Sequence, residues 1–153
     1  MVSHHGLEHA WEKYKEAQKS QPLPSGLVVL DDHLLPEEMQ SLRTIQQLRK
    51  ILEPLTAAEE DRRMSLTLEV LLKAALILDV SDIHIKPEEE TTRLRLRIDG
   101  VLHDVLFFST RIYSLVLSRI KLLSGIKLNI RKEPQDGRFT IRGGEKEDIE
   151  VRA

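Results

Sequence analysis

The chain has no cysteine, few aromatic residues and no long apolar run, and each absence excludes a class of protein. Without cysteine there is no disulfide framework and no thiolate metal site, which suits a reducing cytoplasm. Aromatic residues make up 4% of the chain, too few to supply the stacking platforms of a nucleic-acid reader. The longest apolar run, residues 70–78, is interrupted by Lys73 and is too short to span a bilayer.

Charge and length further limit the partners and the number of domains that this chain can have. The chain carries 23 Lys and Arg against 25 Asp and Glu, a net charge of -2. Attraction to nucleic acid or anionic lipid would therefore have to come from local clusters. A chain of 153 residues, 41% of them hydrophobic, is long enough to bury one core of ordinary size. We predict one compact domain preceded by an N-terminal extension.

The centre of the chain is residues 93–105, RLRLRIDGVLHDV. Arginine alternates with Leu or Ile here, so a strand would place a row of positive charge opposite an apolar face; the arginines are Arg93, Arg95 and Arg97. Asp99-Gly100 favours a two-residue primed turn. With that turn, Ile98 faces Val101, Leu96 faces His103 and Arg95 faces Asp104. The last pairing predicts opposite charges across the strands on the basic face.

The N-terminal half predicts helices and one short strand. We assign no function to His4-His5, which is typical of a frayed terminus. Residues 7–20 predict an amphipathic helix whose Trp11 contacts either this domain or a partner protein. Prolines in residues 21–26 predict a linker. Residues 27–30 predict a short edge strand. Pro36 predicts the start of a helix that ends at Pro54.

A buried helix and a short strand follow. Residues 66–78 are apolar on nearly every side, which is typical of a helix between two layers. Ile83 and Ile85 then alternate with His84, which points away from the apolar face. We interpret His84 as a hydrogen-bonded structural residue. The alternative roles are a general base or a metal ligand, and no second ligand lies at a metal-like spacing.

The C-terminal part predicts a helix and a second hairpin. Ser109 or Thr110 caps the helix and Gly125 ends it. Residues 134–137, PQDG, predict a turn in which Gly137 supplies a positive φ. Residues 138–142 and 148–152 then alternate as paired strands with their apolar side chains inward; on the second strand these are Ile149 and Val151.

Four segments resemble one family in their order and spacing. They are SDIHIKP at residues 81–87, the hairpin that begins RLRLRIDGVL, SRIK at residues 118–121 and PQDGR at residues 134–138. Together they resemble the domain that precedes the motor core in type II secretion ATPases (GspE) and type IV pilus assembly ATPases (PilB).

The resemblance implies an α+β fold, a PAS-like antiparallel sheet with packed helices. We divide the chain into a mainly helical N-terminal extension at residues 1–64 and the PAS-like domain at residues 65–153. The family's motors are homohexamers whose RecA-like domain binds ATP and Mg. The implied partners are that RecA-like domain, neighbouring subunits and inner-membrane platform proteins, with no nucleic acid. The implied location is cytoplasmic, peripheral to the inner membrane.

The sequence departs from the family at several points. No Gly-x-x-x-x-Gly-Lys-Ser/Thr phosphate loop occurs, so we expect a fragment that binds no cofactor and does not hydrolyse ATP by itself. Lys86 stands where the family often has glutamate. Residues 1–65 lack the leucine repeat and terminal glutamine of the family's cyclic-di-GMP-binding domain, and we predict no binding of that nucleotide.

The resemblance also implies a narrow set of site residues. An arginine at the position of Arg152 reaches the nucleotide phosphate held by the motor core, and a planar cation with several donors suits a phosphate oxygen. Arg138 is a second candidate. The alternative for Arg152 is a surface salt bridge. We predict no catalytic residue and no metal ligand in this chain.

Two other functions stay open at this point. One is a stand-alone PAS-like module that binds a protein partner and has no nucleotide role. The other is a nucleic-acid reader that uses the arginine strand, which would need stacking aromatics that this strand does not supply.

Overall fold

The protein's structure, a computed structural model, describes residues 26–31, 35–57, 61–130, 132–143 and 148–153. The predictions for residues 7–20 and for His4-His5 lie outside these residues. In chain order the described elements are β1 (Leu27–Leu30), a 3-10 helix (Glu37–Ser41), α1 (Ile45–Ala57), α2 (Asp61–Ile77), β2 (Val80–Pro87), β3 (Thr91–Ile98), β4 (Val101–Ser109), α3 (Thr110–Leu123), β5 (Arg138–Gly143) and β6 (Ile149–Arg152).

The described strands form two three-stranded sheets, and the predicted α+β class is confirmed. Strands β2, β3 and β4 pair antiparallel, in that order, and are called the antiparallel sheet. In the second, the mixed sheet, β5 lies between β1, which runs parallel to it, and β6, which runs antiparallel. The strand predicted at residues 27–30 is therefore confirmed as an edge strand of the mixed sheet.

The central hairpin has the predicted register. Ile98 pairs with Val101, Leu96 with His103 and Arg95 with Asp104. Asp99 and Gly100 have φ of 48° and 79°, the two left-handed residues that a type I′ turn requires. Leu96 is fully buried, as its alternation with the arginines predicts.

One irregularity of the hairpin was not predicted. The register shifts between Leu94 and Arg95, and this β-bulge adds Val105 to β4, so that Val105 and Leu106 are both buried. The Arg49 side chain on α1 donates hydrogen bonds from Nε to the Val105 carbonyl and from Nη2 to that of Asp104. The edge strand is therefore covered at its bulge by α1.

Helix α2 lies between two hydrophobic cores, as predicted. Val70, Leu71 and Ala74 belong to the core beneath the antiparallel sheet. Leu68 and Leu72 belong to the core beneath the mixed sheet, together with strand residues of β1 and β5. Because one helix supplies both cores, it joins the two sheets into one packed unit.

The prediction of one helix from Pro36 to Pro54 was wrong. The first part is a 3-10 helix, and Leu42 after it is extended, with φ -62° and ψ 125°. Helix α1 then begins with a capping box, in which Gln47 Oε1 accepts from the Thr44 N–H at 3.1 Å and Thr44 Oγ1 accepts from the Gln47 N–H at 3.3 Å. This cap starts a separate helix.

Pro54 does not end helix α1 but lies inside it, three residues before Ala57. A proline removes one backbone donor, whose loss can be offset where a helix is held by packing. Leu52 on the same turn is almost completely buried, and the Thr56 hydroxyl donates to the Leu52 carbonyl at 3.0 Å.

Helix α3 begins and ends as predicted. Ser109 Oγ accepts from the Ile112 N–H at 3.3 Å and is the N-cap. Gly125 follows the helix with φ 68°. Ile112 and Val116 on its inner face are buried in the core beneath the antiparallel sheet.

Two predictions about the second hairpin were wrong in detail. Gly137 does not have a positive φ; a Cβ at this residue would lie 2.6 Å from the Ser124 carbonyl oxygen and from Ile126 Cγ1, so glycine is needed for close approach. Ile149 pairs with the buried Ile141 but is 39% exposed, because it begins the edge strand β6. Val151 is partly buried, and the hairpin itself is confirmed.

Residues of the predicted N-terminal extension contribute to the packed unit. Strand β1 pairs with β5, and α2 begins at Asp61, before the predicted boundary at residues 64 and 65. The division into an extension and a PAS-like domain stays a prediction. None of the described helices is long and apolar enough to cross a membrane.

Candidate functional site

The outward face of the mixed sheet contains both predicted site residues. Side chains alternate along a strand, so burial of Phe139 and Ile141 in the core leaves Arg138 and Arg142 on the opposite side of β5. Arg152 lies directly across from Arg138 on β6 and shares that side. We call these three arginines, with the carboxylates that pair with them, the arginine–carboxylate face.

Arg152 makes a two-pronged ion pair with Asp136. Its Nε lies 2.8 Å from Asp136 Oδ1 and its Nη2 lies 3.2 Å from Oδ2. The strand pairing brings the two residues together, because Gly137 and Ala153 exchange backbone hydrogen bonds of 3.0 and 2.9 Å just beyond the Arg138–Arg152 pair. The Arg152 side chain is 74% exposed, so its remaining donors face solvent.

Arg138 makes a simpler contact. Its Nη1 lies 3.1 Å from Glu150 Oε1, a residue on the neighbouring strand. Arginines directly opposite each other in a sheet repel. Asp136 and Glu150 flank this pair and offset the repulsion. The strand pairing therefore brings the two predicted residues together within one charged cluster.

Arg142 at the other end of β5 has the same kind of partner as Arg152. Its Nε and Nη2 lie 2.9 and 2.8 Å from the two oxygens of Asp148. Sequence reasoning did not identify Asp136, Asp148 or Glu150 as partners. The register of the second hairpin was the available signal, because it places these carboxylates next to the arginines of the facing strand.

The ion pairs change the proton affinities of the groups that form them. The hydrogen bond from Arg152 lowers the pKa of Asp136, and that from Arg142 lowers the pKa of Asp148. The same hydrogen bonds raise the pKa of Arg152 and of Arg142. Both shifts favour the charged form, so the Arg152–Asp136 and Arg142–Asp148 pairs are held as ion pairs.

The chemistry available to this face is recognition of an anion. Guanidinium groups offer planar, paired donors that match phosphate or carboxylate oxygens. Among the described residues, no group of three His, Asp or Glu side chains could hold a metal ion.

The arginine row of β3 lies on the other sheet and is separate from this cluster. Arg93 Nε lies 3.0 Å from Glu88 Oε1, and Arg97 Nη1 lies 3.5 Å from Asp82 Oδ2. In the described part of the chain, Arg95 forms no ion pair with Asp104, although the predicted register between them is confirmed.

The interpretation of His84 as a hydrogen-bonded residue was wrong for one ring nitrogen. Its Nε2 atom is buried and has no hydrogen-bond partner among the described residues. His84 pairs with Arg95 across the strands and so lies on the basic face.

The fold and the site define a class of protein: an α+β domain that presents carboxylate-paired arginines on the outward face of a sheet. Residues 57–153 match the family model described as Type II/IV secretion system protein. The chain belongs to this family, and the resemblance drawn from its four motifs is confirmed.

Several relatives share this region. The Type II secretion system ATPase E of Vibrio cholerae serotype O1 is 37% identical over 100 residues, which cover 65% of this chain and 20% of that protein. The type IV pilus assembly ATPase PilB of Myxococcus xanthus is 31% identical over 102 residues, 65% of this chain and 18% of that protein. The type IV pilus assembly ATPase TfpB of Acinetobacter baylyi is 34% identical over 92 residues, 60% of this chain and 16% of that protein. The chain thus matches a fifth or less of the length of these relatives.

Proposed function

We propose that this chain is part of an ATPase that powers type II secretion or type IV pilus assembly. Support comes from the family match over residues 57–153 and from relatives in both branches whose names include ATPase. ATP and Mg would bind to a RecA-like motor domain outside the matched region. The chain would act beside that domain rather than hydrolyse ATP itself.

Within that motor, Arg152 supplies a guanidinium to the phosphate of the bound nucleotide. The observation that carries this role is its position: it is exposed at the end of β6, with donors free to face a second domain. An arginine brought to a transferring phosphoryl group stabilises the charge that develops there. Arg138, opposite it on β5, adds a second positive charge to the same surface.

Asp136 gives the contact its geometry. The paired hydrogen bonds hold the Arg152 guanidinium in one orientation, which reduces the entropy lost when a phosphate binds. The phosphate must then share or replace Asp136 as acceptor. Because the exchange trades one charged acceptor for another, nucleotide binding would be coupled to the position of this sheet.

The assembled motor would be a homohexamer on the cytoplasmic side of the inner membrane. This domain would contact its own RecA-like domain and neighbouring subunits, and the hexamer would contact platform proteins of the secretion or pilus machine. An exposed arginine at a domain end suits such a role, because it acts only when a second domain is positioned against it.

Arg152→Ala in the full-length parent tests the proposal. Loss of an arginine that acts on the transferring phosphoryl group should lower ATP turnover by about tenfold or more. Arg142→Ala is the matched control, since Arg142 lies on the same sheet face with the same two-pronged carboxylate pair. Its turnover should stay within about twofold of the parent, because surface pairs of this kind contribute little by themselves.

Assembly and folding must be checked in the same preparations. Both variants should give the melting temperature and the oligomer size of the parent. Normal turnover by a correctly assembled Arg152→Ala protein would rule out the phosphate role. An equal loss in both variants would instead assign the effect to the sheet as a whole.

A further inference from the structure

The outward face of the antiparallel sheet is a second charged surface, distinct from the arginine–carboxylate face. Pairing of the three strands arranges its side chains in three cross-strand rows. The rows are Lys86–Arg93–Phe107, His84–Arg95–Asp104 and Asp82–Arg97–Leu102. We call these nine residues the docking face.

The arginine in each of the two outer rows has an ion pair. Arg93 pairs with Glu88 at 3.0 Å, and its guanidinium carbon lies 5.2 Å from the centre of the Phe107 ring. Arg97 pairs with Asp82 at 3.5 Å. Each outer arginine therefore has a carboxylate within reach.

The middle row differs from its neighbours. The Nε atoms of all three arginines and His84 Nε2 are buried and have no hydrogen-bond partner among residues that the structure describes, but Arg95 differs from Arg93 and Arg97 in having no ion pair in that part of the chain either. Asp104, which pairs with Arg95 in register, is exposed and forms no ion pair with it in this part of the chain. A buried donor without an acceptor costs free energy, and an incoming acceptor would recover it.

We propose that the middle row binds a carboxylate side chain of a partner protein, and that an apolar side chain of the same partner rests on Phe107 and Leu102. The Arg95 guanidinium would donate to the carboxylate. His84 Nε2 would donate a second hydrogen bond from the protonated ring or from the neutral tautomer that carries its proton on Nε2.

Charge distribution favours a protein over a polyanion as the occupant. The acidic residues Asp82, Glu88 and Asp104 surround the arginines, so a nucleic-acid backbone or a densely anionic membrane would meet repulsion as well as attraction. A single carboxylate can approach Arg95 between them. Arginine and aromatic residues are also the types enriched at the centres of protein interfaces.

Apolar surface beside the charged row supports the same occupant. Phe107 is 50% exposed and Leu102 is 36% exposed. Val101, also exposed, adjoins them at the hairpin turn. Burial of these side chains by a partner would contribute apolar contact next to the ion pair.

Spacing on the sheet predicts the form of the partner segment. Arg95 and Phe107 are diagonal neighbours, at a separation of about 7–8 Å. Alternate side chains of an extended peptide lie on one side about 6.6–6.8 Å apart. An extended segment with an apolar residue two positions from an acidic one therefore fits the docking face.

This inference does not rest on the proposed nucleotide role, because Arg95 and Arg152 lie on different sheets. The probe is the peptide acetyl-Leu-Ser-Glu-Ser-Leu-amide, which presents the apolar and acidic side chains in both chain directions. Its control is the same peptide with Gln in place of Glu. Binding to the 153-residue chain is followed by NMR signals of the arginine Nε–H groups and of the Phe107 amide.

We expect saturable shifts of the Arg95 Nε–H and Phe107 signals with the Glu peptide. Binding of the Gln peptide should be at least about tenfold weaker, the factor expected for loss of a charged hydrogen-bond acceptor. Arg95→Gln should weaken binding of the Glu peptide by the same factor. Arg97→Gln is the matched control, since Arg97 already has Asp82, and should change binding by no more than about twofold.

Arg95→Lys separates charge from geometry. Lysine keeps the positive charge but loses the planar fork, so its affinity should lie between those of the parent and Arg95→Gln. If Arg95→Gln lowers the melting temperature, the Lys variant and the two peptides still provide the comparison.

Three outcomes would overturn the proposal. One is equal binding of the Glu and Gln peptides, and another is unchanged binding by Arg95→Gln and Arg95→Lys. The third is no saturable shift at up to about 10 mM Glu peptide, the concentration that would detect even a millimolar site. Vesicles containing phosphatidylserine are tested in parallel, and Arg95-dependent binding to them without peptide binding would assign the face to a membrane instead.

Discussion

The two sheets present similar arginines to solvent but differ in how those arginines are paired. On the mixed sheet, Arg138, Arg142 and Arg152 each have a carboxylate within 3.1 Å or less. On the antiparallel sheet, the outer arginines of β3 each form an ion pair, and Arg95 between them forms none with the residues that the structure describes. Residue type is the same on both faces, so the difference lies in side-chain geometry: Arg95 faces Asp104 in register but forms no ion pair with it among the described residues.

This difference separates two kinds of recognition. A paired and exposed arginine such as Arg152 is held in orientation and can exchange its acceptor when a domain approaches. An arginine such as Arg95, which has a buried donor without a partner and no ion pair among the described residues, gains an acceptor without giving one up. The first suits a contact that forms and breaks with nucleotide state, and the second suits a more lasting contact.

The largest expected effect concerns the core beneath the antiparallel sheet. Leu96 is fully buried beneath the docking face, and Leu96→Ala should lower the free energy of unfolding by about 2–5 kcal/mol. Chemical denaturation measures the change. Arg97→Ala, the next residue on the opposite face, is the control and should cost about 1 kcal/mol or less. Similar costs for both variants would mean that the two faces of β3 have been assigned wrongly.

The next largest effect on stability is expected at two glycines, Gly137 just before β5 and Gly100 in the turn between β3 and β4. Gly137→Ala should lower the free energy of unfolding by about 1–3 kcal/mol, because the new Cβ would lie 2.6 Å from the Ser124 carbonyl. Gly100→Ala has open space but a φ of 79°, so its cost is about 1–2 kcal/mol.

Substitution by asparagine distinguishes a loss of stability caused by a steric clash, expected at Gly137, from one caused by a left-handed backbone, expected at Gly100. Asparagine tolerates left-handed backbone, so Gly100→Asn should recover most of the stability that Gly100→Ala loses. Gly137→Asn should recover nothing, since its side chain also needs room. Recovery at Gly137 and none at Gly100 would contradict both explanations.

A smaller effect concerns Glu69, which lies on α2 between the two cores. Burial raises its pKa, and the positive charge of Arg119 only partly offsets this. A carboxyl group with a raised folded pKa contributes stability below its unfolded pKa and loses it as pH rises through the folded value. Glu69→Gln should therefore raise the melting temperature at pH 7. The gain should shrink toward pH 4, and a lower melting temperature at pH 7 would show that the electrostatic attraction of Arg119 outweighs burial.

The smallest effect on stability concerns the exposed carboxylates of the mixed sheet. Its pH dependence is opposite in sign to that of Glu69. Asp136 has a lowered pKa, so its contribution is present above its unfolded pKa and is lost as pH falls through the folded value. Asp136→Asn should lower the melting temperature slightly at pH 7. The difference from the parent should begin to shrink below about pH 4 and disappear once the pH has fallen below the lowered pKa of the folded state. A difference that grows on acidification would contradict the assigned pairing with Arg152.

Much of the fold followed from local sequence rules. The Asp99-Gly100 turn and the alternation on β3 determine the central hairpin and the burial of Leu96. The Ser109 cap and Gly125 likewise set the limits of α3. These features are decided within a few residues, where backbone geometry and side-chain periodicity act directly.

The errors arose where distant parts of the chain decide the conformation. Gly137 is required by its approach to Ser124, a contact that no turn pattern contains. The bulge at Val105 depends on packing and on Arg49 from α1. The parallel pairing of β1 with β5 joins residues more than a hundred positions apart, beyond the reach of any local signal.

The candidate site was predictable only in part. The family resemblance directed attention to Arg152 and Arg138, and the predicted second hairpin implied that they would lie together. Their carboxylate partners depend on the register between β5 and β6, which the sequence does not state directly. The lack of an acceptor for Arg95 depends on side-chain geometry that charge patterning cannot provide.

The most direct test of the nucleotide role is the structure of the full-length parent bound to Mg and a non-hydrolysable ATP analogue. The measurement is the distance from the Arg152 guanidinium to the nearest oxygen of the γ-phosphate. Our account predicts a charged hydrogen bond of about 2.7–2.9 Å, with the two-pronged pair to Asp136 opened or shared. An Arg152 that keeps both bonds to Asp136 and lies far from the nucleotide in every subunit would contradict it.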